Sequence, residues 1–318
     1  MKHRLSRREF CRMAGLLASA AALGACAPQT PAETVPPPTA TPKPPTATPP
    51  PTPTEVPPTP TPVVVAEPDG FEMALVEPGS FEMGFEGGLS SERPVHTVNI
   101  TKPFYMARNL VSFDRYDEFC AETGSARRSD QDMGRESRPA LVKWTEAVKY
   151  CNWLSERAGL TPCYSGAALA TQCDFAANGY RLATEAEWEY AARGGARGLG
   201  YAYAGGDNAD DVAWYMDNSD GATQSVGQKQ PNELGLYDMT GNQWEWCWDW
   251  YVKKYYESSP SSDPLGSELA STSFRDTVKV VRGGSFSSPV EDLRLSYRNY
   301  NLVQAADFGD AIRLVRTA

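Results

Sequence analysis

Histidine is nearly absent from this 318-residue chain, which has only His3 and His96. That scarcity removes several enzyme classes. A three-histidine iron or zinc centre cannot be assembled. A serine triad would have to use His96, which reads instead as a packing or hydrogen-bonding residue near the early strands. There is no phosphate-binding Walker loop and no G-x-G-x-x-G after a strand; Gly194-Gly195 and Gly205-Gly206 read as turn glycines. Positive charge is also in short supply. Thirty Lys and Arg against forty Asp and Glu leave a net charge of −10. An acidic surface argues against nucleic acid and anionic lipid as partners and is compatible with cation binding. The apolar run from Met13 to Leu23 is too short to span a membrane as a stable helix.

That run does have a use. Ser6-Arg7-Arg8-Glu9-Phe10 precedes it and forms a twin-arginine export pattern. Leu23-Gly24-Ala25-Cys26 follows it and reads as a lipoprotein processing site, with Cys26 as the lipidated first residue of the mature protein. Residues 1–25 are therefore expected to be a signal peptide. Their removal takes away five basic residues and one acid, which moves the net charge from −10 to −14. The mature protein is expected on the outer face of the cell membrane, or in a periplasm, with the Cys26 lipid as its membrane contact. Pro28 to Pro62 is almost entirely Pro, Thr, Ala and Val. Such a segment cannot bury a core and favours polyproline II, reaching about 100 Å when extended. Residues 26–69 read as a linker and residues 70–318 as one domain.

Five cysteines fall in the domain: Cys120, Cys151, Cys163, Cys173 and Cys247. An oxidising compartment permits disulfides. Cys163 and Cys173 flank a loop of small residues and are the expected pair. An odd number leaves at least one free thiol, with Cys247 a candidate.

The elements are short. Phe71 to Ile100 alternates apolar and polar residues between Gly and Pro breaks, as strands and turns do. Ser112 to Thr123 has Phe113, Tyr116 and Phe119 at helical spacing, with Ser112 as N-cap. Thr145 to Ala158 is a second helix, capped by Thr145. Thr184 to Arg193 is a third, with Thr184 and Glu187 forming a capping box. Arg181 and Arg193 are expected in buried ion pairs. From Gly194 onward Gly, Asn, Asp and aromatics dominate, which implies a loop-rich α+β domain.

The densest stretch is Gly235 to Trp246, G-L-Y-D-M-T-G-N-Q-W-E-W. Asp238 and Glu245 stand seven positions apart around a Gly-Asn turn. Two readings are open: a calcium cage of carboxylates and inward-turned carbonyls, or a hairpin corner with two core tryptophans.

This stretch resembles the signature of the formylglycine-generating enzyme family, also called the sulfatase-modifying factor family. Four other segments agree in order. Phe81-Glu82-Met83-Gly84 is similar to an early F-x-M-G. Glu92-Arg93-Pro94-Val95-His96 is similar to E-x-P-x-H. Gly179 to Gly195 reads G-Y-R-L-A-T-E-A-E-W-E-Y-A-A-R-G-G, and Arg282 to Ser285 reads R-G-G-S. Ile312-Arg313-Leu314-Val315 resembles the family's closing strand. The resemblance implies a C-type-lectin-like fold with short antiparallel sheets and two to three helices. It also implies structural calcium on Asp238 and Glu245 side chains and the carbonyls of Gly241 and Gln243.

One departure bears on function. Catalytic members carry a cysteine three residues after the R-G-G-S serine and another five further on. Those thiols bind copper and activate oxygen, turning a substrate cysteine into formylglycine. Here the positions are Ser288 and Leu293. Neither is a thiolate, and soft thiolates are what Cu(I) requires. Copper is therefore not expected, although Ser285 matches a polar active-site serine. The segment offers Ser285, Ser287, Ser288, Tyr297, Asn299, Tyr300 and Asn301 as contact residues in a C-terminal cleft for a peptide, protein or glycan. It also resembles the diversified segment of lectin-fold lipoproteins. The leading expectation is a lipid-anchored, calcium-braced binding or accessory domain without oxidase activity. The alternative is a formylglycine-generating oxidase using another thiol or cofactor.

Overall fold

A computed structural model describes residues 61–67, 69–267, 277–303 and 309–318. The leader, Cys26 and most of the linker lie outside the described residues. Among those described, no helix is long and apolar enough to cross a membrane.

The fold closes on itself through its first sheet. Strands β1 (Val64–Ala66), β2 (Glu72–Val76), β5 (Phe104–Ala107) and β11 (Val315–Thr317) form a four-stranded antiparallel sheet in that order. Both ends of the domain thus lie in one sheet. Strand β1 begins inside the segment expected to be linker, because Val64 and Val65 find partners in Ala74 and Met73. A hairpin of β3 (Gly79–Met83) and β4 (His96–Ile100) follows, and β6 (Tyr164–Ser165) pairs with β7 (Gln172–Cys173). The third sheet orders β10 (Asn299–Leu302), β9 (Val278–Arg282) and β8 (Glu245–Trp250), with a register shift between Trp246 and Trp250.

Three helices match the expected ones closely. Helix α1 (Phe113–Thr123) ends at Gly124, whose φ of 70° suits the left-handed stop. Helix α2 (Trp144–Arg157) starts two residues earlier than a Thr145 cap implies. The Glu146 carboxylate reaches back to the Lys143 N–H at 2.9 Å, so Lys143 and not Thr145 stands at the cap. Helix α3 (Glu185–Ala192) has the expected box: Thr184 Oγ1 accepts from Glu187 N–H at 3.1 Å, and Glu187 Oε2 accepts from Thr184 N–H at 2.9 Å. A single turn, α4 (Ala209–Val212), had no periodic signal.

Three tryptophans anchor the core: Trp144, Trp188 and Trp246, each about 1% exposed. An aromatic side chain of this size buries about 150–250 Å², worth roughly 4–6 kcal/mol at about 25 cal/mol per Å². Each indole N–H also finds an acceptor. Trp144 donates to the Cys247 carbonyl at 3.1 Å, Trp188 to Glu245 at 2.8 Å and Trp246 to the Val142 carbonyl at 2.9 Å.

The recognised motifs supply the buried charges. Glu185 of α3 takes a two-pronged contact from Arg298, at 2.6 and 2.8 Å, and a third from Arg282 at 3.0 Å. Glu189 pairs with Arg282 and, at 2.7 Å, with Arg193. Arg181 is forked onto Glu187 at 2.7 Å for both bonds. The acidic helix and the R-G-G-S strand are thus two halves of one buried lattice.

His96 behaves as expected for a packing residue, with its ring 4.8 Å from that of Tyr256 and its Nδ1 3.1 Å from the Pro94 carbonyl. The expected Cys163–Cys173 disulfide is not formed; both thiols are free. Tyr164 stands opposite Cys173, and the Asp174 N–H donates to the Cys163 carbonyl one rung further. Neighbouring rungs project to opposite faces. The Cys163 thiol turns instead to the Gly179 carbonyl at 3.3 Å.

Candidate functional site

The segment that would carry copper chemistry begins where β9 ends. Gly283 and Gly284 both take positive φ, 96° and 81°. Only glycine fits there comfortably, and a Cβ on Gly284 would lie 2.6 Å from Leu293 Cδ2. This turn delivers Ser285 and Ser288 into the interior, at 4% and 6% exposure. Ser285 N–H donates to Ser288 Oγ at 3.0 Å, and the two hydroxyls are 3.3 Å apart. Ser287 Oγ, on the exposed side, is 3.2 Å from Ser285 Oγ. The hydroxyls satisfy one another, and no thiol accompanies them.

Leu293 is 1% exposed and packs with Ala209, Val212, Ala213 and Tyr215 around α4. The second thiolate position is thus a plug in an apolar cluster. Cys247 does not replace it. It is fully buried on β8, and burial pushes its thiol well above the ordinary value, against the thiolate a metal or nucleophile needs. The residues present do not fit a copper centre.

Both carboxylates of the expected calcium site have protein partners. Glu245 accepts from Arg313 through both oxygens, at 2.8 and 2.7 Å, and from the Trp188 indole at 2.8 Å. A guanidinium already occupies the cation position beside this carboxylate. Asp238 accepts from Gly227 N–H at 2.8 Å and Asn242 Nδ2 at 3.3 Å, and burial pushes its carboxyl up to about 6. Gly241 is needed for close contact, because a Cβ there would meet the Trp214 carbonyl at 2.4 Å. Gln243 donates its side-chain amide to the Gly309 carbonyl at 3.1 Å. The stretch is a turn leading into β8, with Trp246 in the core, Trp244 packed at its edge and Glu245 in an ion pair.

Beside the serine turn lies an open groove of about 490 Å³. Phe85, Leu89, Tyr203, Val290, Glu291 and Arg294 line it. Phe85 and Leu89 are each 50% exposed, unusual for side chains of this size with no partner. Arg294 is not free to meet a ligand's acid, because it pairs with buried Glu92. Burial works to raise the Glu92 carboxyl, but Arg294, the Leu89 N–H and Ser296 together hold it below the usual range. Glu291 is left exposed on the rim.

The remaining expected contact residues are spread along β10 and its approach. Tyr297 packs on Trp244 with centroids 5.9 Å apart and lies under Arg294. Asn299 and Asn301 turn back to the N–H groups of Tyr300 and Leu302 at 2.9 and 2.8 Å. Asn301 also donates to Asp310 at 2.9 Å. Tyr300 is 52% exposed, its ring tilted against that of Tyr251 with centroids 4.7 Å apart. None of the seven expected residues lines the Phe85–Leu89 groove. Its walls come from loops 200 residues apart in sequence, and the one available signal was the bulky apolar pair in the glycine-rich run Phe85 to Leu89.

The family model for the sulfatase-modifying factor enzyme 1-like domain matches residues 61–318. Chaperone protein LppX of Paenibacillus barcinonensis is 30% identical over 259 residues, spanning 71% of this chain and 82% of that protein. A formylglycine-generating enzyme of Streptomyces coelicolor is 30% identical over 248 residues, spanning 65% of this chain and 76% of that enzyme. Among solved structures, Treponema denticola variable protein 1 superposes with a TM-score of 0.67 at 26% identity, over 82% of this chain and 100% of that one.

Proposed function

This chain belongs to the sulfatase-modifying factor family, and from that premise we propose that it is an exported, lipid-anchored accessory protein that binds protein segments and carries no copper oxidase activity. One observation carries the reading. The two positions that hold copper thiolates in catalytic members are Ser288 and Leu293, and Leu293 is sealed in an apolar cluster. The likeness to a protein named as a chaperone, spanning 82% of that protein, supports an accessory role. The exposed Phe85 and Leu89 beside the serine turn supply the apolar contact such a role needs. The twin-arginine pattern and Cys26 support export and anchoring, and the Pro/Thr-rich linker gives the domain reach.

The test is an oxidase assay on the purified protein with Cu(I), oxygen and a peptide carrying the sulfatase C-x-P-x-R motif. Mass spectrometry follows conversion of cysteine to aldehyde beside an active control enzyme. No conversion is expected. Turnover would overturn the reading and return the chain to the oxidases. Anchoring is tested separately: Cys26→Ala should release the protein from membranes, and continued membrane association would count against the lipid.

A further inference from the structure

Lys279 sits at the centre of the three-stranded sheet with 0% exposure. Lysine is rarely buried without a carboxylate partner. None forms an ion pair with Lys279 among the described residues. Its ammonium donates one hydrogen bond, to the Trp248 carbonyl at 2.5 Å. The rest of its shell is indole. Nζ lies 3.7 Å from the Trp250 ring centroid, 4.3 Å from Trp144 and 4.5 Å from Trp248. Trp144 belongs to α2, Trp248 and Trp250 to β8, and Lys279 to β9. One side chain therefore ties a helix to the sheet. In register it stands between Trp250 and Asn301 of β10.

We propose that Lys279 and its three tryptophans form a proton-operated joint between α2 and the β8–β9–β10 sheet. Charged, the ammonium draws three ring faces onto itself. Neutral, the amine keeps the carbonyl bond, and the rings are held by apolar packing alone. Burial favours the neutral form and the rings favour the charged one, so the balance tips within an accessible pH range. The titratable groups acting on Lys279 are Asp249 of β8 and Cys173 of β7. Burial pushes the Cys173 thiol up to about 12, so it stays neutral across that range, whereas the Asp249 carboxyl is itself pushed up to about 7. The joint lies in the chain's own core and does not rest on the functional reading above.

The cage reports on itself, because an adjacent ammonium alters indole emission. The experiment is a tryptophan fluorescence titration of the whole protein from about pH 5.5 to about pH 9, bracketing the lowered lysine value. A transition near pH 7 is expected, since burial lowers Lys279 to about 7. Lys279→Met, which keeps the length and removes the proton, should abolish it. Lys279→Arg, charged throughout, should abolish it too. Should either variant fail to fold, the ¹³Cε resonance of Lys279 in lysine-labelled wild type must move with the same midpoint. A flat wild-type curve, or a Cε resonance that does not titrate there, overturns the proposal. A transition surviving in either folded variant also overturns it and assigns the titration to Asp249.

Discussion

Glu245→Ala separates an ion-paired corner from a metal-braced one. Glu245 is 0% exposed and Arg313 1%, and the pair is two-pronged at 2.8 and 2.7 Å. Removing the carboxylate leaves an uncompensated guanidinium, at a cost of about 3–5 kcal/mol. The Trp188 indole N–H loses its acceptor as well, adding about 1–3 kcal/mol. In a domain of about 250 residues each kcal/mol moves the midpoint by about 2–4 °C, so Tm should fall on the order of 10 °C. Arg313 keeps other acceptors, the carbonyls of Ala107 and Tyr237 at 2.9 and 2.8 Å, which places the cost toward the lower end. Glu245→Gln keeps the shape and one acceptor and should lose less. The assay is thermal unfolding of wild type and both variants, each with and without excess chelator. Chelation should leave every curve in place. The reasoning is refuted if chelator lowers the wild-type Tm and Glu245→Gln removes that sensitivity, or if Glu245→Ala costs below about 1 kcal/mol.

Three further outcomes are expected. The Asp310 carboxyl is pushed up to about 7 by burial, against hydrogen bonds from Asn301 and Gln243. A carboxyl raised in the folded state contributes stability that is complete below the unfolded value of about 3.9 and is lost as pH rises through the folded one. Asp310→Asn should therefore flatten the decline in urea midpoint between about pH 4 and about pH 7; an unchanged slope would remove Asp310 as its source. All five domain cysteines should react with a thiol reagent after denaturation without reductant, as five free thiols require, and a Cys163–Cys173 cross-linked peptide would contradict this. Phe85→Ser with Leu89→Ser should cut suppression of client aggregation, followed by light scattering, while changing stability by about 0.5 kcal/mol or less, because both side chains are half exposed. Undiminished suppression would move the client surface elsewhere.

Much of the fold was readable along the chain because its signals are local. Phe113, Tyr116 and Phe119 mark a helix face by spacing alone, and Thr184 with Glu187 marks a helix start within four residues. The missing thiols at Ser288 and Leu293 needed only a count from R-G-G-S. Other features escaped for physical reasons. The Glu245 carboxylate looks the same to a sequence whether its partner is a calcium ion or a guanidinium. The guanidinium it meets, Arg313, lies 68 positions from Glu245. The Cys163–Cys173 pairing failed on strand register, which the loop between them does not reveal.

By itself, then, the sequence determined the family, the three principal helices and the loss of the copper ligands. Each depends on residues close in the chain or on identity at a counted position. The tertiary structure alone decided which buried charges meet, that Phe85 and Leu89 share a groove with Val290 and Arg294, and that three tryptophans from two elements enclose Lys279. Those are questions of which distant segments touch, and contact across the core follows from the whole packing and not from any one stretch of chain.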